Sequence, residues 1–101
     1  MSMAEYAWTS FNANAKVFDF SAVGLPNRFH PTQKPIELYE WIYGLYAKKG
    51  FKIIDTHLGS GSSRIASWNM GYDFVGYEID ETYFKLQEER FAKHTMQTKL
   101  F

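Results

Sequence analysis

Cysteine is absent from the 101 residues, which excludes a disulfide scaffold and any thiolate metal site. Proline is scarce: Pro26, Pro31 and Pro35 are the whole set, and no two are adjacent. Net charge is missing too, since 11 Lys and Arg balance 11 Asp and Glu. A neutral chain lacks the concentrated basic face that coats nucleic acid, although a local patch stays open. No apolar run approaches the roughly 20 residues of a membrane-spanning helix. No signal-peptide pattern is visible, so the expected compartment is the cytoplasm. His30, His57 and His94 show no ligand spacing, and no metal is expected.

What is present is a globular composition, with 46% hydrophobic and 22% charged residues, sized for one domain. Aromatics are dense: Phe 9, Tyr 7 and Trp 3. A core this small cannot hide all of them, so some are expected at the surface or against a partner.

No internal repeat interrupts the chain. The stretch Ala4 to Phe11 is rich in strand-favouring residues, and Lys16 to Phe20 reads as a second strand, hairpin-paired with the first. After the Gly24-Leu25-Pro26-Asn27 loop comes His30-Pro31-Thr32-Gln33-Lys34-Pro35, an extended lead into a helix. Thr32 suits its N-cap and Pro35 its first turn. Leu38, Trp41, Ile42 and Leu45 follow at helical spacing, and Gly50 marks a stop. Residues 51–56 read as a buried strand. A turn, Gly59-Ser60-Gly61, then feeds a short helix ending before Gly71. Residues 73–79 form the next strand, and Asp80 caps a last helix to about His94. Strand, helix, strand in that order is a βαβ unit with parallel strands, and ligands belong at their C-terminal ends.

Three readings compete for the glycine turn. It could be a structural strand-to-helix turn with no ligand. A dinucleotide fingerprint G-x-G-x-x-G/A would need a small last residue, where Arg64 stands; a P-loop would need Gly-Lys-Ser/Thr, which does not follow. An adenosyl cofactor without a pyrophosphate needs only close backbone approach and an acid at the end of the next strand for the ribose hydroxyls. Glu78 stands there, and turn and acid together favour the adenosyl reading.

Three ordered segments carry a resemblance: the His30 to Pro35 segment, Asp55 to Ser63, and Gly76-Tyr77-Glu78-Ile79-Asp80 with Tyr83, Phe84 and Arg90. They resemble the S-adenosylmethionine-dependent DNA amino-methyltransferases that modify adenine N6 or cytosine N4, in the permuted motif order, over residues 4 to 95. Even Glu5 to Phe11 resembles the strand preceding this region in phage-type members. The resemblance implies an α/β fold: part of a Rossmann-like methyltransferase, a βαβ unit with flanking helices and an N-terminal β-hairpin. The whole of 1–101 is then one domain, with a strand, hairpin and loop in 1–29 and the cofactor-binding region in 30–101. Asp55 and the backbone of Gly59, Ser60, Gly61 and Ser62 are implied to line the methionine side of S-adenosylmethionine, with His57 packing against the cofactor and Leu58 also binding it. Glu78 is implied to take the ribose hydroxyls, while Thr32 and Lys34 close the pocket near the carboxylate; His30, in the same segment, is also implied to bind the cofactor. The family's usual Asp-Pro-Phe reads Asp55-Thr56-His57 here, a phage-like variant.

The family's chemistry rests on an Asp/Asn/Ser-Pro-Pro-aromatic motif that holds the flipped base. With no two prolines adjacent, these 101 residues do not contain it. Nor do residues 20–30 leave room for a target-recognition domain. The expectation is therefore the C-terminal, cofactor-binding half of a site-specific restriction-modification type DNA methyltransferase. Adenine N6 is the favoured target over cytosine N4, and the chain is expected to be inactive alone. It should reach DNA only through the full-length enzyme, and its apolar surface should favour homo-oligomers. The alternatives are a stand-alone S-adenosylmethionine-binding subunit or a piece of a small-molecule or RNA methyltransferase.

Overall fold

The computed structural model describes residues 9–11, 16 and 33–99. In chain order these form α1 (Ile36–Tyr46), β1 (Lys52–Asp55), α2 (Ser62–Met70), β2 (Asp73–Gly76) and α3 (Glu81–Lys99). The expected N-terminal hairpin lies outside the described residues, except for Lys16 at the start of its second strand and the end of its first, residues 9–11. There the chain bends instead of extending, because the Phe11 amide donates to Thr9 Oγ1 at 3.1 Å. A hydroxyl two residues back offers the backbone an alternative to a ladder.

β1 and β2 pair in parallel, with Lys52 opposite Asp73 and Asp55 opposite Gly76. This is the expected βαβ unit, a partial Rossmann-like α/β fold. Both strands are four residues long, shorter than expected. The ladder's direction nonetheless continues past them, as the Tyr77 amide donates to Asp55 O and the Leu58 amide to Tyr77 O. β1 is not buried as its apolar run suggests. Its residues alternate exposed and half-buried, and Ile54 is 62% exposed. Hydrophobicity there marks one covered face, with α2 packed on the two-stranded sheet and nothing described covering Ile54.

α1 departs from its sequence reading at both ends. It starts at Ile36 with Pro35 as an extended N-cap (ψ 146°) that makes no side-chain cap, so Pro35 precedes the first turn and Thr32 is not the cap. It stops at Tyr46, where Ala47 turns extended; Gly50, at φ 90°, serves the following turn, in which the Phe51 amide donates to Lys48 O. Its buried residue is Tyr43, while Leu45 is exposed and Leu38, Trp41 and Ile42 are only half-buried. Tyr43 wins the inner position because its ring packs edge-on to Tyr72 and its hydroxyl donates to Ser63 O at 3.3 Å. Burial raises the phenol's pKa above its ordinary value, although the Ser67 and Ser63 contacts act against it.

α2 is the hub. Its buried residues are Ser62, Ser63, Ile65, Ala66 and Ser67, small enough for α1, β2 and α3 all to pack on it. The buried hydroxyls are satisfied: Ser62 Oγ donates to Lys34 O at 2.7 Å, Ser63 Oγ to Asp55 Oδ2 and Ser67 Oγ to Ser63 O. Gly71 ends the helix in the left-handed conformation (φ 80°), as a C-terminal glycine should. α3 is capped by Asp80, whose Oδ1 accepts from the Tyr83 amide at 3.0 Å. It runs beyond the expected His94 to Lys99, and the Thr95 and Thr98 hydroxyls bond back onto carbonyls of their own helix. Arg64 joins α2 to α3, lying 3.7 Å above the Phe91 ring and donating to Gln87 and Glu88. That hydrogen bond holds the Glu88 carboxyl below its ordinary pKa. Among the described residues no helix is long and apolar enough to cross a membrane.

Candidate cofactor cleft

The C-terminal ends of β1 and β2 open onto a cleft of about 580 Å³. Its walls come from three stretches. Thr56, His57, Leu58, Gly59, Ser60 and Ser62 follow β1; Tyr77, Glu78 and Ile79 follow β2; Lys34 and Tyr39 face them from α1 and its approach.

The turn is held tightly against the end of β2. At Gly76 a Cβ would stand 2.7 Å from Phe74 Cε1 and 2.9 Å from Leu58 Cδ1, so only glycine lets Leu58 pass that close. Gly59 (φ 57°) and Gly61 (φ 81°) adopt the left-handed backbone, which glycine reaches without strain. Gly61 is also the N-cap of α2 and closes the turn through its amide to Leu58 O at 2.9 Å. Beyond it the amides of Ser62, Ser63 and Arg64 meet no acceptor among the described residues, as expected of the first turn of a helix.

Glu78 bridges the two strand ends. Its Oε1 accepts from the Gly59 amide at 2.8 Å and its Oε2 from the Asp80 amide at 3.0 Å. A carboxylate has about four acceptor sites, so two remain for a ligand. Asp55 stands behind the wall, with Oδ1 on the His57 amide and Oδ2 on the Ser63 hydroxyl. His57 is exposed, its Nδ1 2.9 Å from Thr56 Oγ1. Lys34, His57, Leu58, Gly59, Ser60, Ser62 and Glu78 thus line one cleft, whereas Asp55 and Gly61 shape the turn from outside it. His30 and Thr32 lie outside the described residues. Among those described, no group of three His, Asp or Glu could hold a metal.

Sequence reasoning missed Tyr39, Thr56, Tyr77 and Ile79 in the wall. Tyr77 and Ile79 flank Glu78 and could have been included on that ground; Ile79 is 99% exposed at the rim. Arg90 and Gln87, on α3, also support the turn. Arg90 stands among the residues that carry the resemblance, but its hold on the turn was not foreseen and Gln87 was not singled out, because both lie more than twenty residues downstream.

A family model for DNA methylases, of the N6 and N4 type, matches residues 6–89. The chain belongs to this family. Among curated methylases, the Type II methyltransferase M2.DpnII of Streptococcus pneumoniae is 36% identical over 61 residues, 60% of this chain and 23% of that protein. The Type II methyltransferase M.HpaI of Haemophilus parainfluenzae is 30% identical over 79 residues, 75% of this chain and 25% of its own length. Among solved methylase structures, M1.HpyAVI in complex with SAM aligns with a TM-score of 0.61 and 31% identity. That alignment covers 63% of this chain and 32% of M1.HpyAVI. The matched region therefore spans about a quarter of these curated methylases, 23% and 25%, and about a third of the solved one.

Proposed function

We propose that residues 30–101 form the S-adenosylmethionine-binding region of a DNA N-methyltransferase, with adenine N6 favoured over cytosine N4 as the target of the assembled enzyme. The observation that carries this reading is Glu78, set across the C-terminal ends of two parallel strands and 2.8 Å from the glycine turn. The chemistry of the donor set fits the cofactor's two ends. Glu78 offers free lone pairs to the ribose hydroxyls, and Ile79 offers an apolar rim beside it for the adenine. At the other end of the cleft, Lys34 and the free amides of the first turn of α2 suit an α-carboxylate.

When bound, the cofactor supplies an electrophilic methyl group on its sulfonium. This chain's own residues bind and orient: Glu78 fixes the ribose, the Gly59–Ser62 turn sets the methionine side, and Leu58 excludes water from the floor. Holding the target amine in line with the methyl would be a positioning and electrostatic task. It falls to a Pro-Pro-aromatic motif that these 101 residues do not contain. Contact with DNA accordingly belongs to the assembled enzyme.

Calorimetric titration of the 101-residue chain with S-adenosylmethionine tests the assignment. Glu78→Gln removes the charge and one acceptor, and should weaken binding about 10- to 100-fold, the effect of one lost charge-assisted hydrogen bond. Equal affinity in wild type and variant would refute it.

A further inference from the structure

Behind the cleft, Arg90 Nη1 on α3 donates to the Ser60 carbonyl and to Ser62 Oγ, each at 2.9 Å. The Ser62 hydroxyl passes its own hydrogen to Lys34 O at 2.7 Å, and Ser60 Oγ lies 3.2 Å from it. One guanidinium nitrogen therefore ties together the glycine turn, the start of α2 and the backbone of the cleft's lysine. Ser60 and Ser62 are themselves 5% and 2% exposed, so these acceptors have no water to fall back on.

A cation in this place is costly in two ways. Burial pushes the guanidinium's pKa below its ordinary value, with Glu37 acting in the opposite sense. The charge also faces the N-terminal end of α2, where the helix dipole is already positive. Cohesion between α2 and α3 does not depend on it, because Arg64 stacks on Phe91 and Trp68 packs edge-on against Phe91 and His94. The arrangement becomes favourable when an anion sits on that helix end.

We infer that Arg90 is a positioning residue for the cofactor's methionine moiety. It holds the Gly59–Ser62 turn and the Lys34 backbone in the geometry that receives the α-carboxylate, and it adds positive potential there without touching the ligand. This rests on the cleft reading above, and it separates the two halves of the ligand: Glu78 serves the adenosine, Arg90 the amino acid.

The test compares S-adenosylhomocysteine with adenosine, which lacks the amino-acid half, by nuclear magnetic resonance titration of the 101-residue chain. Arg90→Met should weaken S-adenosylhomocysteine about tenfold, on the scale of one charged hydrogen bond, and leave adenosine within about twofold. Arg90→Lys, which keeps a charge and a donor, should recover part of the loss. Trp68→Ala serves as a control destabilised away from the turn and should not discriminate between the ligands. Equal losses for both ligands, or no loss for either, would overturn the inference. Hydrogen exchange in the ligand-free chain gives a second readout. Arg90→Met should lower protection of the Gly61 amide more than Trp68→Ala does. If the wild type binds neither ligand, the cleft reading fails, and unchanged protection at Gly61 would then overturn Arg90's hold on the turn as well.

Discussion

Two glycines share almost the same backbone and differ in what surrounds them, which makes a controlled experiment. Gly61 has φ 81° and Gly71 has φ 80°. A Cβ at Gly71 would meet nothing within 4 Å. At Gly61 it would stand 3.1 Å from Gln87 Cβ and 3.2 Å from Gln87 Oε1. Alanine at either site incurs the left-handed penalty of about 1–2 kcal/mol. The loss of unfolded-state freedom is the same for both and cancels in the comparison. Gly61→Ala alone adds crowding. Gln87 is 1% exposed and its Cβ is fixed to the α3 backbone, so it cannot swing away; moving Oε1 would loosen its 3.1 Å bond from Arg64. Overpacking of this kind costs about 1–3 kcal/mol. Urea unfolding followed by circular dichroism should therefore place Gly61→Ala below Gly71→Ala by about 1–2 kcal/mol. With a slope of about 1–1.5 kcal/mol per molar for a chain this size, that is a midpoint gap near 1 M. Adding Gln87→Gly to Gly61→Ala should make the two changes less than additive. Should Gly61→Ala prove no worse than Gly71→Ala, the contact between the glycine turn and α3 is wrong.

Acid should weaken the fold through His94. Burial and the nearby Arg90 lower its pKa below 6.5, with Glu40 acting the other way, so the unfolded chain takes up a proton first. This stability is present above pH 6.5 and is lost as pH falls from there toward the lower folded value. Thermal unfolding of His94→Gln should change less between pH 7.5 and 5 than that of wild type, roughly the interval spanning the ordinary histidine value, and identical profiles would discount His94. The second expectation is chemical: labelled S-adenosylmethionine and mixed-sequence duplex should yield unlabelled DNA with this chain alone. Sequence-specific incorporation would mean that another group does the work of the missing proline motif.

The βαβ unit was legible because its punctuation is local. Gly71 and Asp80 each act within a few residues of themselves, as a helix stop and a cap, and the structure has them doing so. What the sequence hid was orientation. The Leu38, Trp41, Ile42 and Leu45 series gave the period of α1 correctly, but Tyr43 took the buried position because its hydroxyl finds Ser63 O, a partner twenty residues away. Ile53 and Ile54 both read as core, yet the number of elements covering a strand decides which face is wet. The cleft was legible along 57–62 and at Glu78, where one stretch of chain carries its own geometry. The supporting roles of Arg90 and Gln87 were not, because support from behind a turn leaves no mark in the turn's own residues.

The small hydroxyl residues of α2 fix more than its depth. An interface of leucines tolerates a helix that slides or rolls by a few degrees, since any apolar atom can replace another. Ser62 and Ser63 each have a particular oxygen to reach, on Lys34 and Asp55, two segments outside the helix, while Ser67 turns back onto Ser63 O within it. Rolling α2 about its axis would strand the buried Ser62 and Ser63 hydroxyls together, each at a cost of about 1–3 kcal/mol. The helix is thereby keyed like a shaft in a slot, and the end that faces the cleft inherits that angular tolerance.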